Sequence, residues 1–144
     1  MNPKAVGERS EALVLARFVE NGAAVAIPFG NNQRYDLVVD TGKKLVRVQV
    51  KTGKLKNGCV VFRSCSSNGF THEHKGYRGQ IDAFAVYCPQ NECVYLVPVE
   101  AVGAGTTHLR LDKPICRQKC NVRWAKDFVL LRSGVEQPVS SSGS

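Results

Sequence analysis

The sequence predicts an α/β domain in which an N-terminal helix packs on a mixed central β-sheet. Three observations carry this expectation. Residues 2–22 place Ala12, Leu15, Phe18 and Val19 on one helical stripe and end on Gly22, where a C-cap belongs. Residues 35–40 and 45–51 are rich in Val and Leu, and the four residues between them, Thr41, Gly42, Lys43 and Lys44, can close an antiparallel hairpin. Two later apolar runs, 81–87 and 94–97, flank Pro89, Gln90 and Asn91 and predict a second hairpin or a continuation of the first sheet. At 144 residues the chain has the size of one domain. That domain is expected to span residues 1–132, with 133–144 as a disordered tail rich in Ser and Gly.

The remaining elements follow in order. Residues 25–28 form a short apolar run that leaves into the turn formers Gly30, Asn31 and Asn32, predicting a strand and a loop. Residues 59–63 follow a turn at Lys56, Asn57 and Gly58, and are expected to extend the meander into a four-stranded sheet. Residues 64–80 are polar and lack a sustained period, which predicts a mobile loop carrying His72, His74, Lys75, Tyr77 and Arg78. Residues 99–102 read as a helical turn. Beyond Gly103 the chain is basic and broken, with a last ordered stretch at 124–131. No internal repeat is present.

Twenty Lys and Arg against twelve Asp and Glu give a formal charge of +8 and a pI near 9.4. Such an excess favours a polyanionic partner through Coulomb attraction and counterion release, nucleic acid before any other, with plain solubility as the alternative. No run of eighteen apolar residues occurs and the first residues lack the pattern of a signal peptide, so neither membrane insertion nor secretion is expected and the chain is placed in the cytoplasm, with the nucleoid. Among the six cysteines, Cys88 and Cys93 flank a turn and Cys116 and Cys120 sit in a basic segment. Their spacing differs from that of a zinc knuckle and no secretory context supports disulfides, so they read as ordinary buried or surface thiols.

The chemistry concentrates in the first hairpin. Side chains alternate faces along a strand, so Val46, Val48 and Val50 point one way while Arg47, Gln49 and Lys51 point the other. If the hairpin closes symmetrically on residues 41–44, Asp40 pairs with Leu45 and, counting outward, Asp36 pairs with Gln49. Direct partners have β-carbons roughly 5 Å apart, and Lys51 becomes a diagonal neighbour of Asp36 within about 8 Å. A slip of one residue would send the set to opposite faces. Glu11 joins it from the helix, where Gly7, Val14 and Leu15 are neighbours and the side chain is expected to face inward; a carboxylate there needs a partner, and a divalent cation near Asp36 would supply one. The bland reading keeps Glu11 on the solvated edge of the helix and makes Asp36 and Lys51 a salt bridge on the sheet surface.

The order Gly7 and Glu11, then Asn32, Gln33, Arg34, Tyr35 and Asp36, then Gln49, Val50, Lys51 and Thr52 resembles the PD-(D/E)XK nucleases, whose core is a helix with an acidic residue followed by a hairpin carrying Asp and then acid-X-Lys. Tyr35 and Asp36 stand where that family has Pro and Asp, and Gln49, Val50 and Lys51 stand at acid-X-Lys. Residues 7–62, with weaker echoes at 81–98 and 123–128, look most like the small branch of group I intron homing endonucleases and their bacterial relatives. Archaeal Holliday-junction resolvases resemble the chain more distantly.

The resemblance implies a restriction-endonuclease-like core and a metal-dependent DNA endonuclease with Glu11, Asp36, Gln49 and Lys51 as its catalytic set. Mg²⁺, with Mn²⁺ as a substitute, would be held by Glu11, Asp36, the Gln49 amide and the Val50 carbonyl. Gln49 departs from the usual acid and leaves the site one negative charge short. Double-stranded or branched DNA is the implied partner and a homo-oligomer, dimer or tetramer, the implied assembly. Gln33, Arg34, Lys43, Lys44, Lys54, Lys56, His72, His74, Lys75 and Arg78 are the expected DNA contacts, chiefly to phosphates. His72 and His74 read as solvated before metal ligands, Asp82 as a cap on its preceding turn, and Trp124 as a core or interface anchor. Two other readings stay open: a structure-specific junction resolvase with the same catalytic residues, and a DNA-binding protein without catalysis.

Overall fold

The computed structural model describes residues 2–30, 33–64, 79–103, 105–111 and 123–130. The chain opens with helix α1 (Pro3–Glu20). Asn2 caps it, its side-chain oxygen accepting from the amides of Lys4 at 2.8 Å and Ala5 at 3.3 Å, and Pro3 stands at the first helical position, where its missing N–H costs nothing. The helix ends at Asn21, and Gly22 follows with φ +85°, the left-handed conformation that glycine adopts without strain.

The buried face of α1 differs from the expected stripe. Ser10, Val14, Arg17 and Phe18 are buried, whereas Ala12 and Val19 are exposed. Two polar residues belong inside because they find partners there. Ser10 Oγ shares a 2.6 Å hydrogen bond with Thr52 Oγ1, and Arg17 donates to the Leu130 carbonyl while pairing with Glu20. A reading based on apolar periodicity alone cannot see such partners.

Strands β1 (Ala24–Ala26), β2 (Leu37–Asp40) and β3 (Leu45–Thr52) form an antiparallel meander. The hairpin register is the symmetric one, Asp40 opposite Leu45 and Leu37 opposite Val48. The next strand in this sheet is β6 (Ala83–Cys88), which pairs parallel to β3, followed by β7 (Cys93–Pro98) and β9 (Val129–Leu130), both antiparallel. The result is a mixed six-stranded sheet in the order β1-β2-β3-β6-β7-β9.

The expected fourth partner of the meander lies elsewhere. Strands β4 (Lys54–Lys56), β5 (Cys59–Arg63) and β8 (Thr106–Arg110) form a separate three-stranded sheet. The chain passes from β3 to β4 through Gly53, whose amide donates to the Tyr87 carbonyl at 2.8 Å. A β-carbon at Gly53 would stand 2.8 Å from Val86 Cγ1 and 2.9 Å from Val60 Cγ1, so only glycine lets the two sheets approach at this corner. The edge of β3 that a meander would use is taken by β6, and Asp82 fixes that choice. Its carboxylate accepts from the Arg47 amide at 2.8 Å, from Nε at 3.2 Å and from a terminal guanidinium nitrogen at 3.2 Å, a clamp between strands in place of the expected turn cap. These bonds hold the Asp82 carboxyl below the ordinary carboxylate range.

The central sheet separates two cores. Val14 and Phe18 of α1 pack on Leu37, Val39, Val48, Val50, Ala85 and Tyr87. On the other face Phe84, Val86, Tyr95 and Val97 meet Val60, Phe62 and Leu109 of the second sheet. Val99–Ala101 is a single 3₁₀ turn, as expected, and Ala125–Asp127 a second. Cys59, Cys88 and Cys93 are free thiols. Among the described residues no helix is long and apolar enough to cross a membrane. Residues 65–78 of the predicted loop, the Cys116 and Cys120 pair and the tail lie outside the described residues.

Candidate active site

The site is assembled where β2 begins. The Asp36 amide donates to the Val48 carbonyl at 2.8 Å, and one carboxylate oxygen of Asp36 accepts from the Val50 amide at 2.9 Å. The side chain thus continues the ladder in place of the next backbone carbonyl. This holds the carboxylate against the backbone of β3, between the two faces of the sheet. Outward from Leu37 and Val48, the register brings Asp36 beside Gln49.

Glu11 reaches the same place from α1. The hydrogen bond between Ser10 and Thr52 anchors that turn of the helix on the end of β3, and the next residue is Glu11. Glu11 and Asp36 line one cavity of about 400 Å³, together with Ile27, Pro28, Phe29, Gly30, Gln33 and Tyr35. Both carboxylates are half-buried.

Electrostatics reports the same proximity. Burial pushes the Glu11 carboxyl up, the charge of Asp36 adds to the shift, and that of Glu8, one turn earlier on α1, adds further. Glu8 is thus a like-charged neighbour of Glu11 beside the Gly7, Val14 and Leu15 named above. Asp36 is likewise raised by burial, against the opposing effects of the Val50 amide and of Lys51. Lys51 is therefore near enough to Asp36 to favour its ionised form.

Gln49 and Lys51 lie opposite Phe84 and Val86 of β6, and cross-strand partners share a face. They therefore occupy the face turned toward the second sheet, whereas Val48 and Val50 pack under α1. Gln49 does not line the cavity that Glu11 and Asp36 share. Among the described residues no three His, Cys, Asp or Glu side chains gather into a metal-binding group, which accords with an amide standing where a third acid would be.

The expected DNA contacts divide by position. Gln33 lines the carboxylate cavity, and Arg34 is half-buried beside it in sequence. Lys54 and Lys56 are exposed on β4, just beyond Lys51. Lys43 and Lys44 are exposed at the hairpin turn, roughly 25 Å along β3 from Lys51 at a strand's rise per residue. His72, His74, Lys75 and Arg78 lie outside the described residues. Trp124 is half-buried and lines a separate cavity of about 500 Å³ with Tyr95 and Arg110, and Lys126 stands 5.9 Å above its ring. Strand pattern and charge did not single out the cavity walls at Ile27–Gly30, because their role depends on the fold around α1.

Residues 1–131 match the family described as PD-(D/E)XK endonuclease. The chain belongs to the PD-(D/E)XK endonuclease family. Its fold is also that of a solved structure, "The structure of a bacterial homing endonuclease: I-Ssp6803I", to which it is 23% identical with a TM-score of 0.65, over 89% of this chain and 86% of that one. No curated protein matches the chain. Family membership makes the chain a nuclease. The helix on a mixed sheet, the fold expected of this family, is the architecture observed.

Proposed function

We propose that the chain is a divalent-metal-dependent DNA endonuclease of homing-endonuclease-like design, with Glu11, Asp36, Gln49 and Lys51 as its active site. The observation that carries this reading is the meeting of two half-buried carboxylates, Glu11 and Asp36, in one cavity, with the charge of Lys51 acting on Asp36. Two half-buried carboxylates in one cavity, with the charge of Asp36 raising the proton affinity of Glu11, suit a cation that both can share. Similarity in fold to a bacterial homing endonuclease supports the same reading.

Glu11 and Asp36 would hold Mg²⁺ or Mn²⁺, with the Gln49 amide oxygen and the Val50 carbonyl as further donors. When bound, the cation supplies Lewis-acid polarisation of the scissile phosphate and acidifies a water. The protein's own groups do the rest. The Val50 amide fixes one oxygen of Asp36 and so orients the other. Lys51 positions the attacking water or offsets charge growing on the phosphoryl group, acting from a half-buried site where that charge is less screened than in bulk water. Gln49 coordinates without adding charge, so substrate phosphates are needed to complete the shell.

Gln49→Glu tests the assignment of that position. A third carboxylate at the cation should tighten Ca²⁺ or Mg²⁺ binding, measured by isothermal titration, by about tenfold, equivalent to roughly 1.4 kcal/mol. Unchanged affinity would remove Gln49 from the metal site.

A further inference from the structure

The second sheet has a charge pattern that its structural role leaves unexplained. Strands β4, β5 and β8 contain Lys54, Lys56, Arg63 and Arg110 and neither Asp nor Glu. Their register fixes which side chains share a face. Lys54 pairs with Val61, Val61 with His108, and Arg63 with Thr106, while Lys56 pairs with Cys59 on the same strand face as Val61 and Arg63. The intervening residues Leu55, Val60, Phe62 and Leu109 pack into the core against the central sheet. Lys54, Lys56, Arg63 and His108 therefore point away from it, and all four are exposed.

Such a face is costly unless something answers it. Like charges on neighbouring strands repel, and soluble sheets ordinarily intersperse acids with bases. Here Lys54 lies opposite Val61, Lys56 is two residues along on the same face of β4, and Arg63 lies about 7 Å beyond Val61 along β5. The face also continues the strand of the candidate active site. Lys51 and Lys54 are three residues apart, so at most about 11 Å of chain separates them. By contrast Lys43 and Lys44 occupy the far end of β3.

We infer that the outer face of the β4-β5-β8 sheet is the surface on which the phosphate backbone of duplex DNA rests, with Lys54, Lys56 and Arg63 as its principal contacts and the side chains of His108 and Thr106 as further hydrogen-bonding partners. This inference rests on the nuclease reading above and adds the location of the substrate. A duplex lying on this face passes the end of β3, where Lys51 and Asp36 meet the scissile phosphate. Backbone contacts of this kind set register on the DNA without reading bases, and they make affinity depend on salt.

The test compares two variants of the full chain that lose the same charge. Lys54→Gln with Arg63→Gln removes two cations from the face, and Lys4→Gln with Lys126→Gln removes two exposed cations from elsewhere. Binding to a labelled duplex is measured across a salt series in Ca²⁺, with thermal melting as the check on folding. The face variant should bind about tenfold or more weakly at physiological salt, and its log–log salt slope should fall by about 2, near 0.9 for each lost contact. The comparison variant should change less than threefold. Equal losses in both variants, or a face variant that binds like the parent, would overturn the inference. A parent that binds duplex through this face yet never cuts it with Mg²⁺ or Mn²⁺ would instead overturn the nuclease reading and leave the surface standing.

Discussion

Lys51→Ala and Asp36→Asn are each expected to lower Mg²⁺-dependent cleavage by at least about 10²- to 10³-fold, the scale of losing one preorganised charged or hydrogen-bonding group at a reacting centre. Duplex affinity should change little. Lys51 and Asp36 act on one phosphate, whereas grip is spread over exposed cations such as Lys54 and Arg63. Loss of a contact made in the transition state lowers the rate constant in the bound complex more than it weakens binding. Asparagine is the informative substitution at position 36, since its side-chain oxygen still accepts from the Val50 amide and the loss then reports on charge. Single-turnover cleavage with enzyme in excess separates the two quantities. A Lys51→Ala protein that cuts as fast as its parent would take Lys51 out of the mechanism.

Glu11→Gln should abolish cleavage and stabilise the metal-free fold at the same time. Three influences raise the Glu11 carboxyl above its ordinary range: burial, then the charges of Asp36 and Glu8. A carboxyl raised in the folded state contributes stability that is present below its unfolded pKa and lost as pH rises through its folded pKa. At neutral pH the ionised group therefore costs stability, and a neutral amide removes the cost. Because Glu11 still meets water, which screens it, the gain is small, about 2 °C in Tm at pH 7 in EDTA. The gain should vanish near pH 4, where the parent carboxyl is already largely protonated. Mg²⁺ should raise the Tm of the parent by relieving the same repulsion, and that response should weaken in Glu11→Gln. A variant less stable than the parent at pH 7 and equally responsive to Mg²⁺ would place Glu11 outside the cation site.

Much of this geometry is legible in the chain because it is local. The hairpin at residues 41–44 has a symmetric closure, so counting outward from Asp40 and Leu45 is enough to bring Asp36 beside Gln49. Residues 94–97 and 99–102 are legible for a similar reason, since apolar runs broken by turn formers imply neighbours in space. The departures are long-range. Residues 59–63 follow a turn and look like a continuing meander, but Gly53 turns the chain into a second sheet and Asp82 recruits β6 to β3 across 35 residues. Strand β8 escapes sequence reasoning because Thr-Thr-His-Leu-Arg contains one apolar residue and pairs with β5 across more than forty residues. The inward face of α1 departs from its apolar pattern at Ser10 and Arg17, whose partners Thr52 and Leu130 come from distant parts of the chain. At the site, the family pattern identifies candidate residues, but the cavity shared by Glu11 and Asp36 requires the helix to be seated on β3.

The central claim is most directly tested by incubating the purified protein with supercoiled plasmid and with a synthetic four-way junction, each in Mg²⁺ and in EDTA. Nicking or linearisation of the plasmid, or resolution of the junction, is predicted in Mg²⁺ and should be absent in EDTA; faster plasmid cleavage favours the homing-endonuclease-like reading over the resolvase. Binding to both DNAs without cleavage of either, in Mg²⁺ or Mn²⁺, would contradict the nuclease account and leave a DNA-binding protein with an inactive site.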